Sequence, residues 1–190
     1  MPQTFGDYTE QQETEEYLVI HFSPTSIPLR QRWRNSGLSA DFLADYWTTF
    51  FPAHDVPSSQ RQQEIKGAIN YIANELLENT MKFSHKPAYH PVDLGLYLYR
   101  DAFRFYASNT VDPLAVGAFQ ARIQELLTKD PHELYVQQLE RNAATKDDVA
   151  SGLGLLTMLC DYDAHLAWSF ETVSADPDII VVTTMVQLQV

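Results

Sequence analysis

Apolar residues recur with two different periods along this chain, and the switches between them mark out its elements. From Tyr17 to Phe22 a run of aromatic and β-branched residues predicts a first strand, closed by a loop carrying Ser23-Pro24 and Ile27-Pro28. A second short extended piece is expected at Arg30 to Arg34. Ser39 followed by Phe42, Leu43, Tyr46, Trp47 and Phe50 has the three- and four-residue steps of a capped amphipathic helix that ends before Pro52. The strongest helical pattern runs from Ser58 to Phe83, with Ile65, Ile69, Ile72 and Leu76 on its buried stripe. Val92 to Leu98 and Ala102 to Ala107 alternate as a hairpin joined near Arg100-Asp101. Asp112-Pro113 opens a helix through Leu127, and Asp130-Pro131 opens another through about Arg141. Ala143 to Val149 reads as a polar linker, Gly154 to Cys160 as a short helix, and His165 to Val173 and Ile179 to Leu188 as two closing strands.

Strands at both ends, helices between them and a hairpin in the middle predict an α+β fold, a two-layer α/β sandwich with a largely antiparallel sheet packed on helices. The polar residues up to Glu16 have no period and read as a flexible acidic arm, which leaves 17–190 as one domain.

Composition narrows the function. The chain has 190 residues, 45% of them hydrophobic and 20% charged, as in a globular protein. Its net charge of −12 repels a phosphate backbone, so nucleic acid is not the expected partner. No apolar stretch approaches membrane length, the N-terminus lacks the pattern of a secretory signal, and the single cysteine, Cys160, suits a reducing compartment. The expected location is the cytoplasm.

Candidate chemistry begins in the long helix. Glu75, Asn79 and Lys82 fall at i, i+4 and i+7, on one stripe beside the apolar one. A carboxylate, an amide oxygen and an ammonium aligned there can polarise a water, hold Mg²⁺ and neutralise a phosphate; the plain alternative is a solvated helix face with i, i+4 pairing. A second element is Ser151-Gly152-Leu153-Gly154 at the start of a helix, where missing side chains let backbone N–H groups approach an anion. Only seven glycines occur in the chain, which makes two so closely spaced notable, although a simple turn explains them equally.

Together these two elements resemble the GHKL ATPase family, which includes histidine kinases, gyrase-type subunits and the anti-sigma serine kinases. The resemblance spans roughly Glu64 to Glu171: E-x-x-x-N-x-x-K matches Glu75, Asn79 and Lys82, and G-x-G-L matches Gly152-Leu153-Gly154-Leu155. It implies a Bergerat-type fold binding ATP or ADP with Mg²⁺, in which Asn79 holds the metal, Glu75 acts as base and Lys82 reaches the phosphates. It further implies that Ala143 to Ser151 form a mobile lid and that Ser151 to Gly154 line the nucleotide. Where the family has D-x-G-x-G, this chain has Asn109-Thr110-Val111-Asp112-Pro113, so Asn109, with Asp112 as fallback, stands for the adenine-binding aspartate. Thr183 or Thr184 stands for the family's adenine-pocket hydroxyl. The chain looks most like the stand-alone, SiaB-type regulators of the anti-sigma serine kinase group. That likeness implies a serine/threonine kinase acting on a small STAS-like, anti-anti-sigma-type partner in bacterial signalling. A non-catalytic nucleotide-gated sensor or interaction protein is the alternative, and a homodimer stays open.

Other sites have less support. Arg30, Arg32 and Arg34 would share one side of an extended strand, as a grip on an acidic partner or as a solvated edge. The six histidines show no H-E-x-x-H spacing for zinc, and no G-x-S-x-G elbow is present. Tyr97, Tyr99, Phe103, Phe105, Tyr106 and Trp168 crowd the expected strands, mostly as core; a flavin stacked among them or near Trp33 and Trp47 is the further option.

Overall fold

A computed structural model describes residues 2–12, 14–22, 29–50, 56–85, 90–144, 152–175 and 178–189. Six strands, β1 (Gln3–Phe5), β2 (Glu16–Phe22), β3 (Val92–Leu98), β4 (Ala102–Val111), β5 (His165–Ala175) and β6 (Asp178–Gln189), form one sheet in the order β1-β5-β6-β4-β3-β2. Every pairing is antiparallel. Five helices, α1 (Leu29–Thr48), α2 (Val56–Phe83), α3 (Val116–Thr128), α4 (Pro131–Ala144) and α5 (Gly154–Asp161), complete the described chain. The architecture is the expected α+β two-layer sandwich.

Alternation along the strands sorts side chains between two faces. Phe103, Phe105, Ala107 and Val111 of β4, Val182, Val186 and Leu188 of β6, and Leu166, Trp168 and Phe170 of β5 face the helices and share one core with Leu43, Trp47, Ile69, Ile72, Leu76 and Leu77. Trp47 of α1 meets Phe103 edge-on at 5.4 Å. On the opposite face Tyr97, Tyr106, Ala167 and Met185 form a second, smaller cluster.

Three expectations change. Within the stretch up to Glu16, expected as a flexible arm, a short strand forms. Gln3–Phe5 pair with Phe170 to Trp168 of β5, and Phe5 is buried against the Phe170 ring at 5.7 Å. Gly6 then turns the chain with φ +68°, where an added Cβ would lie 2.8 Å from the Leu166 carbonyl oxygen. Beyond it the segment crosses the second cluster as a strap: Tyr8 meets Tyr106 edge-on at 6.4 Å, Tyr106 donates to the Thr9 carbonyl at 3.0 Å, and Tyr99 donates to that of Gln12 at 3.3 Å.

Arg30 to Arg34 are not extended. They belong to α1, which starts at Leu29 rather than at Ser39. The third change is in β4, which runs on to Val111 because Asn109, Thr110 and Val111 continue its ladder against Val182, Val181 and Ile180. The helix expected from Asp112 begins only at Val116, after a turn in which the Asp112 carboxylate accepts from the Leu114 N–H at 2.9 Å.

Candidate functional site

The C-terminal half of α2 is fixed by what it buries. Ile69, Ile72, Leu76 and Leu77 are at most 1% exposed against the sheet, which leaves the stripe one step round the helix to border the layer edge. Its end is latched to the end of β4: the His85 N–H donates to the Thr110 carbonyl at 3.0 Å and the Thr110 hydroxyl to the His85 carbonyl at 3.2 Å. Thr80, itself buried, donates back to the Leu77 carbonyl at 2.9 Å. Glu75, Glu78 and Asn79 are half-buried on this stretch, while Lys82 is exposed with its Nζ 5.5 Å from the Phe83 ring centre.

The decisive neighbour is α5. Gly154, its first residue, lies so close to Glu75 that an added Cβ would stand 2.8 Å from the carboxyl carbon and overlap an oxygen. A methyl group here would displace the carboxylate from the helix start. Gly152 supplies the approach: its φ is +62°, and a Cβ there would press on the Gln138 side chain of α4 at 3.3 Å. Behind this contact Tyr71, one turn before Glu75, stacks on Tyr162 at 5.2 Å and hydrogen-bonds Thr157. The Glu75 carboxylate therefore sits beside the start of a helix whose dipole favours negative charge.

Burial raises the pKa of Glu75 above the ordinary glutamate value, the neighbouring Glu78 raises it further, and Lys82 pulls it back. A carboxylate held this way is a stronger proton acceptor than an exposed one. Burial, with Asp161 and Asp130, likewise raises the Cys160 thiol, which lowers its reactivity.

The remaining sequence candidates divide. Asn109 is buried on the helix-facing side of β4, and its side-chain amide donates to the Thr110 carbonyl at 2.9 Å. Asp112, at the strand end, is engaged in its own turn. Thr183 is turned away from both: its hydroxyl lies 2.8 Å from that of Ser108 on the face that the strap crosses. Of the threonine pair, Thr184 faces the helices, opposite Ala107 and beside Trp168. The Trp168 indole N–H is buried with no partner among the described residues, a donor that pattern reasoning did not single out. Leu153 immediately precedes α5, and its carbonyl accepts the Thr157 N–H at 2.7 Å. Ser151 and the rest of the expected lid from Thr145 lie outside the described residues, whereas Ala143 and Ala144 end α4. Trp33 has no described side chain, and Phe103, Phe105 and Trp168 are packed in the core.

The donor set suits a Mg²⁺-bound nucleotide in one respect and departs from it in another. A glycine cradle faces a carboxylate with an amide one turn on and an ammonium beyond it, but the buried Asn109 supplies no charge. Among the described residues no group of three His, Cys, Asp or Glu is placed to hold a metal by itself. No helix of the described chain is long and apolar enough to cross a membrane.

Comparison with known proteins gives a fold. A search of solved structures matches one chain of the SiaB–SiaC complex from Pseudomonas aeruginosa with a TM-score of 0.57 and 17% identity, covering 91% of this chain and 89% of that one. At that identity the two share a fold. No protein-family model matches the chain, and no curated protein is similar to it.

Proposed function

We propose that this chain is a nucleotide-dependent signalling regulator that binds ATP or ADP with Mg²⁺ between α2 and the start of α5 and acts on a small protein partner. The contact of Gly154 with Glu75 carries this reading, because two segments remote in sequence meet with a carboxylate against a side-chain-free helix start. Asn79 would hold the metal, Lys82 would face the phosphates, and Gly154 would offer its backbone N–H. When bound, Mg²⁺ and the nucleotide supply a phosphoryl group whose charge is already partly offset. Glu75 would take the proton of a serine or threonine hydroxyl, its raised pKa matching that role. The likeness to a chain of the SiaB–SiaC complex supports a regulator with a protein partner. A STAS-like partner and a cytoplasmic setting fit that picture.

A non-catalytic, nucleotide-gated sensor is the second reading, favoured by Asn109. Its amide is spent on the neighbouring carbonyl, and no glycine loosens the strand end around it. Melting curves with Mg-ATP, with Mg-ADP and with each nucleotide in excess EDTA test the common part. Binding at a hundred times Kd stabilises by about 2.7 kcal/mol, and Asn79→Ala should abolish the Mg²⁺-dependent share. No shift with either nucleotide rejects both readings; a shift without transfer to a small STAS-like protein leaves the sensor.

A further inference from the structure

Past the Gly6 turn, residues 7–12 cross the face of the sheet opposite the helices without joining a ladder. Among the described residues no backbone–backbone hydrogen bond holds them. Side chains of the sheet grip their carbonyls instead: Tyr106 donates to that of Thr9 at 3.0 Å and Tyr99 to that of Gln12 at 3.3 Å. One side chain of the strap is inserted, since Tyr8 meets the Tyr106 ring edge-on and hydrogen-bonds Thr183 and Ser169. Asp7, Glu10, Gln11 and Gln12 stay exposed. Main-chain groups held in an extended segment, with one side chain seated in a slot, are the means by which a surface reads a peptide.

The same face carries a cation that the strap leaves unused. The Arg104 guanidinium lies over the Tyr99 ring at 4.4 Å, donates from Nε to the Gln187 side chain at 2.8 Å and hydrogen-bonds the Tyr106 hydroxyl. Its fork is thereby oriented between the two tyrosines on which the strap hangs. The chain has 25 Asp and Glu residues, yet among the described residues none pairs with Arg104, not even Glu10 on the stretch of strap between those two anchors.

We infer that this face is a peptide groove, filled in cis by residues 7–12, which receives from a partner protein an extended segment bearing a tyrosine and, three residues on, a carboxylate. The incoming tyrosine takes the place of Tyr8 among Tyr106, Thr183 and Ser169. Its carboxylate stands where the strap has Gln11, between the Thr9 and Gln12 anchors, and pairs with Arg104 in the forked geometry that guanidinium and carboxylate share. The strap is thus a weaker version of its competitor, alike in shape and lacking the ion pair. Net charge does not oppose the exchange, because the strap that lifts away carries Asp7 and Glu10 with it. The groove faces away from the helix layer that holds Glu75 and Gly154, so its occupation requires no nucleotide.

The probe is a fluorescein-labelled peptide of residues 6–12 carrying Gln11→Glu, and the readout is anisotropy. Tyr8→Ala in the full chain frees the slot while leaving Tyr106, Thr183, Ser169 and Arg104 in place. That variant should bind the probe at least about tenfold more tightly than the parent, in which the tethered strap competes at high effective concentration. A probe with alanine in place of its tyrosine should not bind. A probe with the natural glutamine should bind about two- to fivefold more weakly, as expected for loss of a half-exposed ion pair, and Arg104→Gln in the Tyr8→Ala chain should erase that difference. Should Tyr8→Ala fail to fold, the strap itself reports: Gln11→Glu in the otherwise unaltered chain should raise the melting temperature, and Arg104→Gln should cancel the gain. No binding to a folded Tyr8→Ala chain, binding that ignores the tyrosine of the probe, equal affinity for the two probes, or a Gln11→Glu chain that melts no higher than its parent overturns the inference.

Discussion

Gly154 meets the carboxylate of Glu75 with no room for a methyl group between them. The contact joins the stripe of α2 that carries Asn79 and Lys82 to the start of α5, and it makes residue 154 a glycine for reasons of space rather than of φ. Gly154→Ala should therefore move the Glu75 carboxylate, the end of a flexible side chain, out of this contact rather than shift α5. Because a side-chain end gives way and not a packed core, the cost should stay below about 1 kcal/mol, read by urea unfolding. Glu75→Ala should remove most of that cost, since the clash disappears with the carboxylate. A double-mutant cycle should show coupling of the two sites, and additivity would mean that the helices do not meet there.

Glu75→Gln should stabilise the protein at neutral pH. The folded state raises the pKa of Glu75, so it binds a proton more tightly than the unfolded chain does. Stability is thus lost as pH rises from the ordinary glutamate value through the raised one, and the ionised group is a burden above that window. The melting temperature of Glu75→Gln should exceed that of the parent at pH 7, and the difference should vanish near pH 4, where both side chains are neutral. The same variant should lose phosphoryl transfer if the kinase reading holds, a trade of activity against stability.

How far the fold was legible depended on which signals the residues carry. Tyr17 to Phe22 and Val92 to Leu98 alternate or cluster strongly enough to be read directly, and Ile65, Ile69, Ile72 and Leu76 announce α2 through their spacing. At Arg30 to Arg34 charged residues and Pro28 hide the helical period, which only resumes at Phe42, so the sequence there suggests an extended piece where the chain is helical. The alternation that marks β4 stops at Ala107, yet the ladder to β6 carries the strand on through Asn109 to Val111, as pairing generally overrides local preference in strands. Gln3–Phe5 is too short to have a period at all, and its place follows from one buried ring. At the site, helical spacing put Glu75, Asn79 and Lys82 on one stripe, but no spacing rule brings Gly154 to Glu75; that is a tertiary fact. Thr183 and Thr184 could be told apart only by the register that fixes their faces.

Removal of residues 2–12 should expose the cluster that the strap crosses. Tyr97, Tyr106, Ala167 and Met185 would lose the Tyr8 ring, and Phe5 would leave its place against Phe170. Burial of one aromatic side chain contributes about 1.5–3 kcal/mol, so the truncated chain should unfold at lower urea by at least that much and bind a hydrophobic dye. Tyr106→Phe, which deletes only the donor to Thr9, should cost about 1 kcal/mol without dye binding.

Tyr71 should separate the two ways in which α5 is held on α2. Its ring stacks on Tyr162 at an interplanar angle of 28°, and its hydroxyl hydrogen-bonds Thr157, two residues before Leu159 on the same short helix. Tyr71→Phe keeps the ring and should cost about 1 kcal/mol, the net contribution of one hydrogen bond. Tyr71→Ala also removes the stack and should cost about 3–5 kcal/mol, as other large aromatic truncations do. If α5 must be docked for nucleotide to bind, affinity should fall in the same order, parent, Phe, then Ala, when measured by calorimetry at a temperature where all three are folded. Equal affinity across the series would mean that the start of α5 reaches Glu75 without Tyr71, and that Gly154 alone sets their approach.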